Sequence, residues 1–279
     1  PQEISELIPS TNSYLVVLNN KQSIEAQLVI GADGRNSFAR ESAGIQLTKW
    51  PYKQSAIVFS ISHEYSHNFI AHERFLKNGP FAILPLNNKN GKTGTHSSIV
   101  WTENTNIVKT LMQVTNKEFK KEVENKIDGF LGEIKTIGEK WAYPLSFQFS
   151  QTSISNRLAL VGDASHGLHP IAGQGLNMGL RDISALAEVI VNAKRLGLDI
   201  GTKSVLNDYH QWRHFDNTLM LASTDFLNRI FSTNIKLIAF ARRLGLTAVN
   251  KILPLKRLLM IEAMGLTGDL PRLMRGKDL

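Results

Sequence analysis

One run constrains this chain more than any other: Leu158-Ala-Leu-Val-Gly-Asp-Ala-Ser-His-Gly-Leu-His-Pro-Ile-Ala-Gly-Gln-Gly-Leu-Asn-Met-Gly. Arg157–Val161 reads as a short apolar strand, with the carboxylate of Asp163 at its carboxyl end. A Pro/Gly loop, Gly162–Gly175, follows. Beyond it the spacing predicts a helix from Leu176 to about Leu196, closed by Gly197. Leu176, Leu180, Ile183, Ala187 and Ile190 recur at steps of four and three and are expected to form its buried face. In open α/β sheets ligands lie beyond the carboxyl ends of strands. Gly173 and Gly175 carry no Cβ, so backbone can approach a ligand closely there. The amides of Gln174–Asn177 are expected as first-turn donors at the positive end of the helix dipole, suited to phosphate, an oxyanion or a charged reduced ring. Two readings stand side by side: a ligand site or a tight structural turn. Asp163 likewise either meets a hydroxyl-rich ligand or caps its loop.

A second element repeats the theme. Gly31-Ala-Asp-Gly-Arg-Asn-Ser-Phe-Ala-Arg places Asp33 and Gly34 just after the apolar run 28–32, which is expected to be a strand buried on both faces. A short helix is expected over Phe38–Ala43, with Ser37 able to cap it and Arg40 one turn on, either serving the ligand or simply solvated. Elsewhere, strands are predicted at 13–18, 55–62, 81–86, 97–102 and 141–150, with a loop at 87–94 and a helix at 117–127. From Val205 the pattern is helical, with breaks expected at Gly245, Pro254 and Gly265. Strand-rich sequence, one strand–loop–helix unit and a helical tail make a mixed α/β chain.

Composition narrows the chemistry. The 279 residues include no Cys, which excludes disulfide scaffolds, thiolate nucleophiles and Cys-ligated metals and fits a reducing compartment. His166 and His169, or His63, His67 and His72, do not make a zinc pattern, and Ser165 is not in a nucleophile elbow, so neither a metal nor a triad is expected. No apolar run reaches bilayer length, and the first residues do not resemble a signal peptide. The net charge is +8, and residues 220–279 hold ten Lys/Arg against four acids. That excess suggests an anionic surface as partner, and no nucleic-acid-binding motif accompanies it. Phe226, Ile230, Leu237, Phe240 and Leu244 form an apolar stripe, either core, partner-helix face or lipid-facing blade.

The two loops together resemble the flavoprotein aromatic hydroxylases of the para-hydroxybenzoate hydroxylase fold. Asp33, Gly34, Ser37 and Arg40 match the family's Asp-Gly motif. Gly162, Asp163, Ala164, His166, Pro170, Gly173, Gly175 and Asn177 match its Gly-Asp motif. The string from Leu168 to Asp182, His72-Glu-Arg-Phe with Gly79-Pro and Leu84-Pro-Leu, Val100-Trp101 and the ending Gly268-Asp-Leu-Pro-Arg-Leu are similar to the ubiquinone-biosynthesis hydroxylases. The family's opening G-x-G-x-x-G does not occur, and Pro1 stands where Met would, so an N-terminally incomplete Rossmann-like FAD/NAD(P)-binding domain is expected.

The resemblance implies residues 1–45 and 151–215 as the FAD-binding domain, 46–150 as an inserted substrate-binding sheet and 216–279 as a C-terminal helical region. It implies FAD held by Asp33, Gly34, Arg40, Gly162, Asp163, Pro170, Gly173, Gln174, Gly175, Leu176 and Asn177, with Asp163 at the ribityl chain and Pro170 beside the reactive flavin edge as the catalytic neighbour. Arg40 would act structurally or electrostatically. The implied activity is hydroxylation of a polyprenyl-phenol ring in ubiquinone biosynthesis, using NAD(P)H and O₂ through a flavin C4a-hydroperoxide. A lipid-soluble phenol, a membrane surface and a biosynthetic complex are the implied partners, and the implied location is cytoplasmic and peripheral to a membrane. The alternative is a non-catalytic fragment or partner module lacking the nucleotide-binding segment.

Overall fold

The computed structural model describes residues 2–87, 94–170, 173–232, 245 and 247–279. Leu237, Phe240 and Leu244 of the expected apolar stripe lie outside the described residues. The chain divides into two compact units. One comprises Pro1–Trp50, Ser146–Phe226 and Leu246–Leu279; the other comprises Pro51–Leu145 and Leu227–Gly245.

In the first unit β1 (Ile4–Pro9), β2 (Tyr14–Leu18) and β3 (Ser23–Ala26) form an antiparallel meander. A second sheet has the order β11 (Ile154–Ser155), β12 (Leu158–Leu160), β4 (Val29–Gly31), with β4 and β12 parallel. Side chains alternate across a strand, and β12 uses both faces. Leu158 and Leu160 join Tyr14, Val16 and Ile45 on one side, while Ala159 joins Ile154, Leu186 and Leu206 on the other. β4 does not match the expectation of two buried faces, because Ile30 is 49% exposed. Among the described residues it pairs with β12 alone and so ends this sheet.

Helix α4 (Gln174–Arg195) starts two residues earlier than predicted. Its expected buried face is also wrong. Leu176 and Ile183 are 73% and 51% exposed, and the helix instead buries Met178, Asp182, Ala185, Leu186 and Ala193. The reason is local: the Asp182 carboxylate accepts from the Gly162 amide, and Gly179 on the same side faces Gly162, where an added Cβ would already sit 3.7 Å from the Gly179 Cα. Helix α5 (Lys203–Ser232) lays Leu206, Tyr209, Arg213, Asn217 and Leu221 inward at helical spacing, and the Tyr209 hydroxyl donates to the Leu160 carbonyl at 2.7 Å. Helix α6 (Leu253–Ala263) begins where a break was expected, because Pro254 sits in its first turn, where a missing amide costs nothing.

The second unit is built on the antiparallel order β5 (Leu47–His63), β8 (His96–Asn104), β7 (Gly79–Leu86), β6 (His72–Leu76), with β9 (Ile134–Ile137) on the far end of β5. Helices α2 (Thr105–Gln113) and α3 (Asn116–Ile127) cover one face, packing Val108, Leu111, Phe119, Val123 and Ile127 onto Ile57, Phe59, Ile99 and Trp101. Thr115 and Glu118 form a capping box that fixes the start of α3. β10 (Trp141–Ser150) ends beside β13 (His166–Gly167) in the first unit, pairing Gln148 with Gly167 and Phe149 with His166. No helix among the described residues is long and apolar enough to cross a membrane.

Candidate functional site

The parallel pairing of Leu160 with Gly31 brings the two sequence motifs together, since each loop leaves the carboxyl end of its strand at the same level. From β4 the chain passes through Asp33 and Gly34, whose φ of +80° suits glycine, into the short helix α1 (Phe38–Ser42). From β12 it passes through Gly162, at φ +57°, and a 3-10 turn over Gly162–Ala164 that carries Asp163.

Buried polar groups lock the two loops. Gln148 donates to the carbonyls of Arg35 at 2.9 Å and Asp163 at 3.1 Å. Arg40 is 2% exposed and donates to the carbonyls of Ala164 at 2.9 Å and Arg35 at 3.2 Å. This removes the solvated alternative for Arg40 and fits the structural part expected of it: its guanidinium ties together the backbone carbonyls of the two loops. Arg35, not singled out from sequence, lies 4.0 Å from Asp163 and donates to the Ser146 hydroxyl at 2.9 Å. It also explains Gly167, where a Cβ would fall 2.8 Å from the Arg35 Cζ.

A second feature escaped the sequence reading. Asp182 is wholly buried and accepts four hydrogen bonds, from His166 Nε2 at 2.6 Å, the Gly162 amide at 3.0 Å, Arg213 Nε at 2.9 Å and Asn217 Nδ2 at 3.3 Å. Arg213 also pairs with Asp216 at 2.7 Å. Burial pushes the Asp182 carboxyl up, but the charges and hydrogen bonds of His166 and Arg213 outweigh it and hold the group below its ordinary range. Through the Gly162 amide this carboxylate anchors the turn that presents Asp163. Sequence gave little signal for it, because Asp182 and Arg213 sit on helices that carry several other charged residues.

The two helix starts differ. At α1 the first-turn donors are taken: the Ala39 amide by Asp33 Oδ2 at 3.0 Å and the Arg40 amide by Ser37 Oγ at 2.9 Å. At α4 the N-cap is Gly173, at φ +62° and with no side chain to cap. Helical geometry gives the amides of Gly175 and Leu176 no acceptor within the helix, whereas Asn177 can reach the Gly173 carbonyl. A Cβ built on Gly173 or Gly175 meets nothing within 4 Å, so the space in front of this terminus is open. The Gln174 side chain turns inward and donates to the Ala263 carbonyl at 2.9 Å, so only its backbone faces outward. Pro170 is half-buried and its carbonyl accepts from the Gly173 amide at 3.1 Å.

In the same unit, a cavity of about 220 Å³ is lined by Trp50, Phe147, Phe149, Thr218, Leu221, Ala222 and Asp225. Trp50 and Phe147 stack at 3.8 Å. His169, next to Pro170, is buried; desolvation lowers its pKa to about 4, against the opposing pull of the Asp225 charge. No group of three or more His, Cys, Asp or Glu arranged for a metal occurs among the described residues.

This arrangement, two parallel strands delivering Asp-bearing loops beside a glycine-capped helix start, is that of a dinucleotide-cofactor domain. Residues 10–221 match the family described as FAD binding domain, and the chain belongs to that family. Ubiquinone hydroxylase UbiL of Rhodospirillum rubrum is 46% identical over 282 residues, covering 100% of this chain and 64% of the relative. The 3-demethoxyubiquinol 3-hydroxylase of Escherichia coli K12 is 35% identical over 249 residues, covering 89% of this chain and 62% of the relative. The chain therefore spans less than two thirds of the length of these relatives. In fold, it is similar to p-nitrophenol 4-monooxygenase PnpA of Pseudomonas putida DLL-E4, with a TM-score of 0.76 at 16% identity over 96% of this chain and 67% of that one.

The residues present fit FAD. An outward-facing carboxylate suits a polyol, and a glycine-capped helix start with open space at Gly173 and Gly175 suits the anionic side of a reduced ring.

Proposed function

We propose that this chain forms the flavin- and substrate-binding portion of a FAD-dependent NAD(P)H monooxygenase that hydroxylates the ring of a polyprenyl-phenol in ubiquinone biosynthesis. The observation that carries the reading is the β4–β12 pairing, which sets Asp33 and Asp163 at adjacent strand ends in a chain 46% identical to a ubiquinone hydroxylase. When bound, FAD supplies the electron transfer from NAD(P)H and the activation of O₂. The protein's own residues bind and orient. Asp163 accepts from the ribityl hydroxyls, with Asp33, Gly34 and Gly162 lining the same side. The amides of Gln174, Gly175 and Leu176 stabilise negative charge on the ring, Asn177 closes that turn, and Pro170 borders the reacting edge. The segment 46–150 serves substrate binding and contributes Trp50, Phe147 and Phe149 to the ring-sized cavity, where apolar walls exclude water. No side chain need act as nucleophile. A polyprenyl substrate resides in lipid, so the enzyme works peripherally at a membrane surface.

Asp163→Ala tests the reading. Its carboxylate is 48% exposed and holds only a long pair with Arg35, so folding should survive. A lost charged hydrogen bond should weaken FAD binding tenfold or more, from about 1.5–3 kcal/mol. The measurement is flavin fluorescence quenching on titration of the purified chain; unchanged affinity would remove Asp163 from the site.

A further inference from the structure

Between residues 252 and 266 nine large apolar side chains are exposed, among them Leu253, Leu258, Met260, Ile261 and Met264. They sit on and around α6, which has no consistently buried side among its described residues. A helix apolar on most sides and open to water calls for a covering partner. Beside it lies a groove of about 440 Å³ lined by Leu253, Pro254, Arg257, Leu258, Ile261 and Thr267. Apart from Arg257 and Thr267, its lining is aliphatic.

The charge around α6 says what kind of partner fits. Lys251, Lys256 and Arg257 lie on or next to it, three cations against the one acid of the helix sequence, Glu262, and no other carboxylate among the described residues pairs with any of them. Lys256 instead donates to the neutral Asn250 side chain at 3.0 Å. Arg257 lines the groove mouth itself, so cation and apolar surface share one face. Long basic side chains can lay their stems along such a surface and keep their heads at an anionic plane. A neutral protein face would satisfy the apolar groups and leave the cations unmatched, whereas an anionic bilayer satisfies both.

We infer that α6 and its groove form a docking surface for an anionic phospholipid bilayer, with the groove admitting a hydrocarbon chain. The inference rests on the lipid-soluble substrate of the proposed function only for its purpose; the surface stands on its own residues.

The test is co-flotation of the full 279-residue chain with vesicles of phosphatidylcholine alone or mixed with phosphatidylglycerol, with FAD titration on the same preparation. Flotation is expected with the anionic vesicles and should fall as salt is raised. Lys256→Gln with Arg257→Gln should weaken vesicle binding about 30-fold, at roughly 1 kcal/mol per cation. Leu258→Glu with Ile261→Glu should abolish it at unchanged melting temperature. Equal flotation with both vesicle types, or variants that float like the parent, would overturn the surface. So would a concentration-dependent dimer broken by Leu258→Glu without vesicle binding, which would assign the face to a second copy. Flavin binding without flotation sinks this surface alone; flotation without flavin binding sinks the proposed function alone.

Discussion

Asp182→Ala probes the group on which the Asp163-bearing turn rests. The carboxylate is fully buried and accepts from Gly162, His166, Arg213 and Asn217. Removing it strands the Arg213 guanidinium, itself 1% exposed, in a dry site. Breaking one side of a buried ion pair costs about 3–5 kcal/mol. Arg213 keeps Asp216 and Asn217, both at 2.7 Å, so the low end applies, about 3 kcal/mol. At roughly 2–4 °C per kcal/mol for a chain of this size, the melting temperature should fall by about 6–12 °C. The Gly162 amide loses its acceptor, so its hydrogen exchange should accelerate beyond what the global loss explains.

The pH dependence gives an independent sign. Because His166 and Arg213 hold Asp182 below its unfolded pKa, its contribution is complete above that unfolded value of about 4 and is lost as pH falls through the folded one. The wild-type chain should therefore lose stability in acid below about pH 4, and Asp182→Ala should show a shallower loss. Thermal or urea melts at pH 7 and at pH 3–4 measure both effects. A variant within about 1 kcal/mol of wild type at pH 7, with an unchanged acid limb, would refute the claim that this network holds the turn.

Two further outcomes follow from single residues. His169 titrates near 4 when folded and near 6.5 when unfolded, so its contribution is complete above about pH 6.5 and declines as pH falls toward 4. Its share is about 2 kcal/mol between pH 7 and pH 5; urea unfolding of His169→Gln should lose that part of the slope, and an unchanged slope would place the group in water. Gly31→Ala puts a Cβ 2.7 Å from Leu160 Cδ2 and 2.8 Å from Ala39 Cβ, which should cost about 1–3 kcal/mol by overpacking. A melt of that variant at the wild-type temperature would mean that β4 and β12 are less tightly joined than described.

What the sequence disclosed and what it hid divide along physical lines. The strands at 81–86, 97–102 and 141–150 and the helix at 117–127 were legible because each carries a strong local period or cap, as the Thr115–Glu118 box illustrates. β1 and β3 were not, because short edge strands with one buried residue between them have little apolar contrast to read. The two loops stood out because each sets a carboxylate and a glycine directly after a short apolar run, and the fold brings them together at paired strand ends. The struts behind them did not: whether Arg40 is solvated or Arg35 reaches Asp163 depends on partners more than 100 residues away in sequence, Ala164 and Ser146.

The misread face of α4 shows the limit most clearly. Periodicity ranks apolar side chains and places Leu176, Leu180 and Ile183 inside. The fold ranks approach distance. Gly179 faces Gly162, where an added Cβ would sit 3.7 Å from the Gly179 Cα, and Asp182 is carried inward on the same side to accept from the Gly162 amide. A charge there is tolerable only because His166, Arg213 and Asn217 are already turned toward it. The leucines are left facing out as a consequence of where the loop must sit. In this part of the chain, the buried Asp182 network decides which face of the helix packs, so a pattern that knows only hydrophobicity reads the helix from the wrong side.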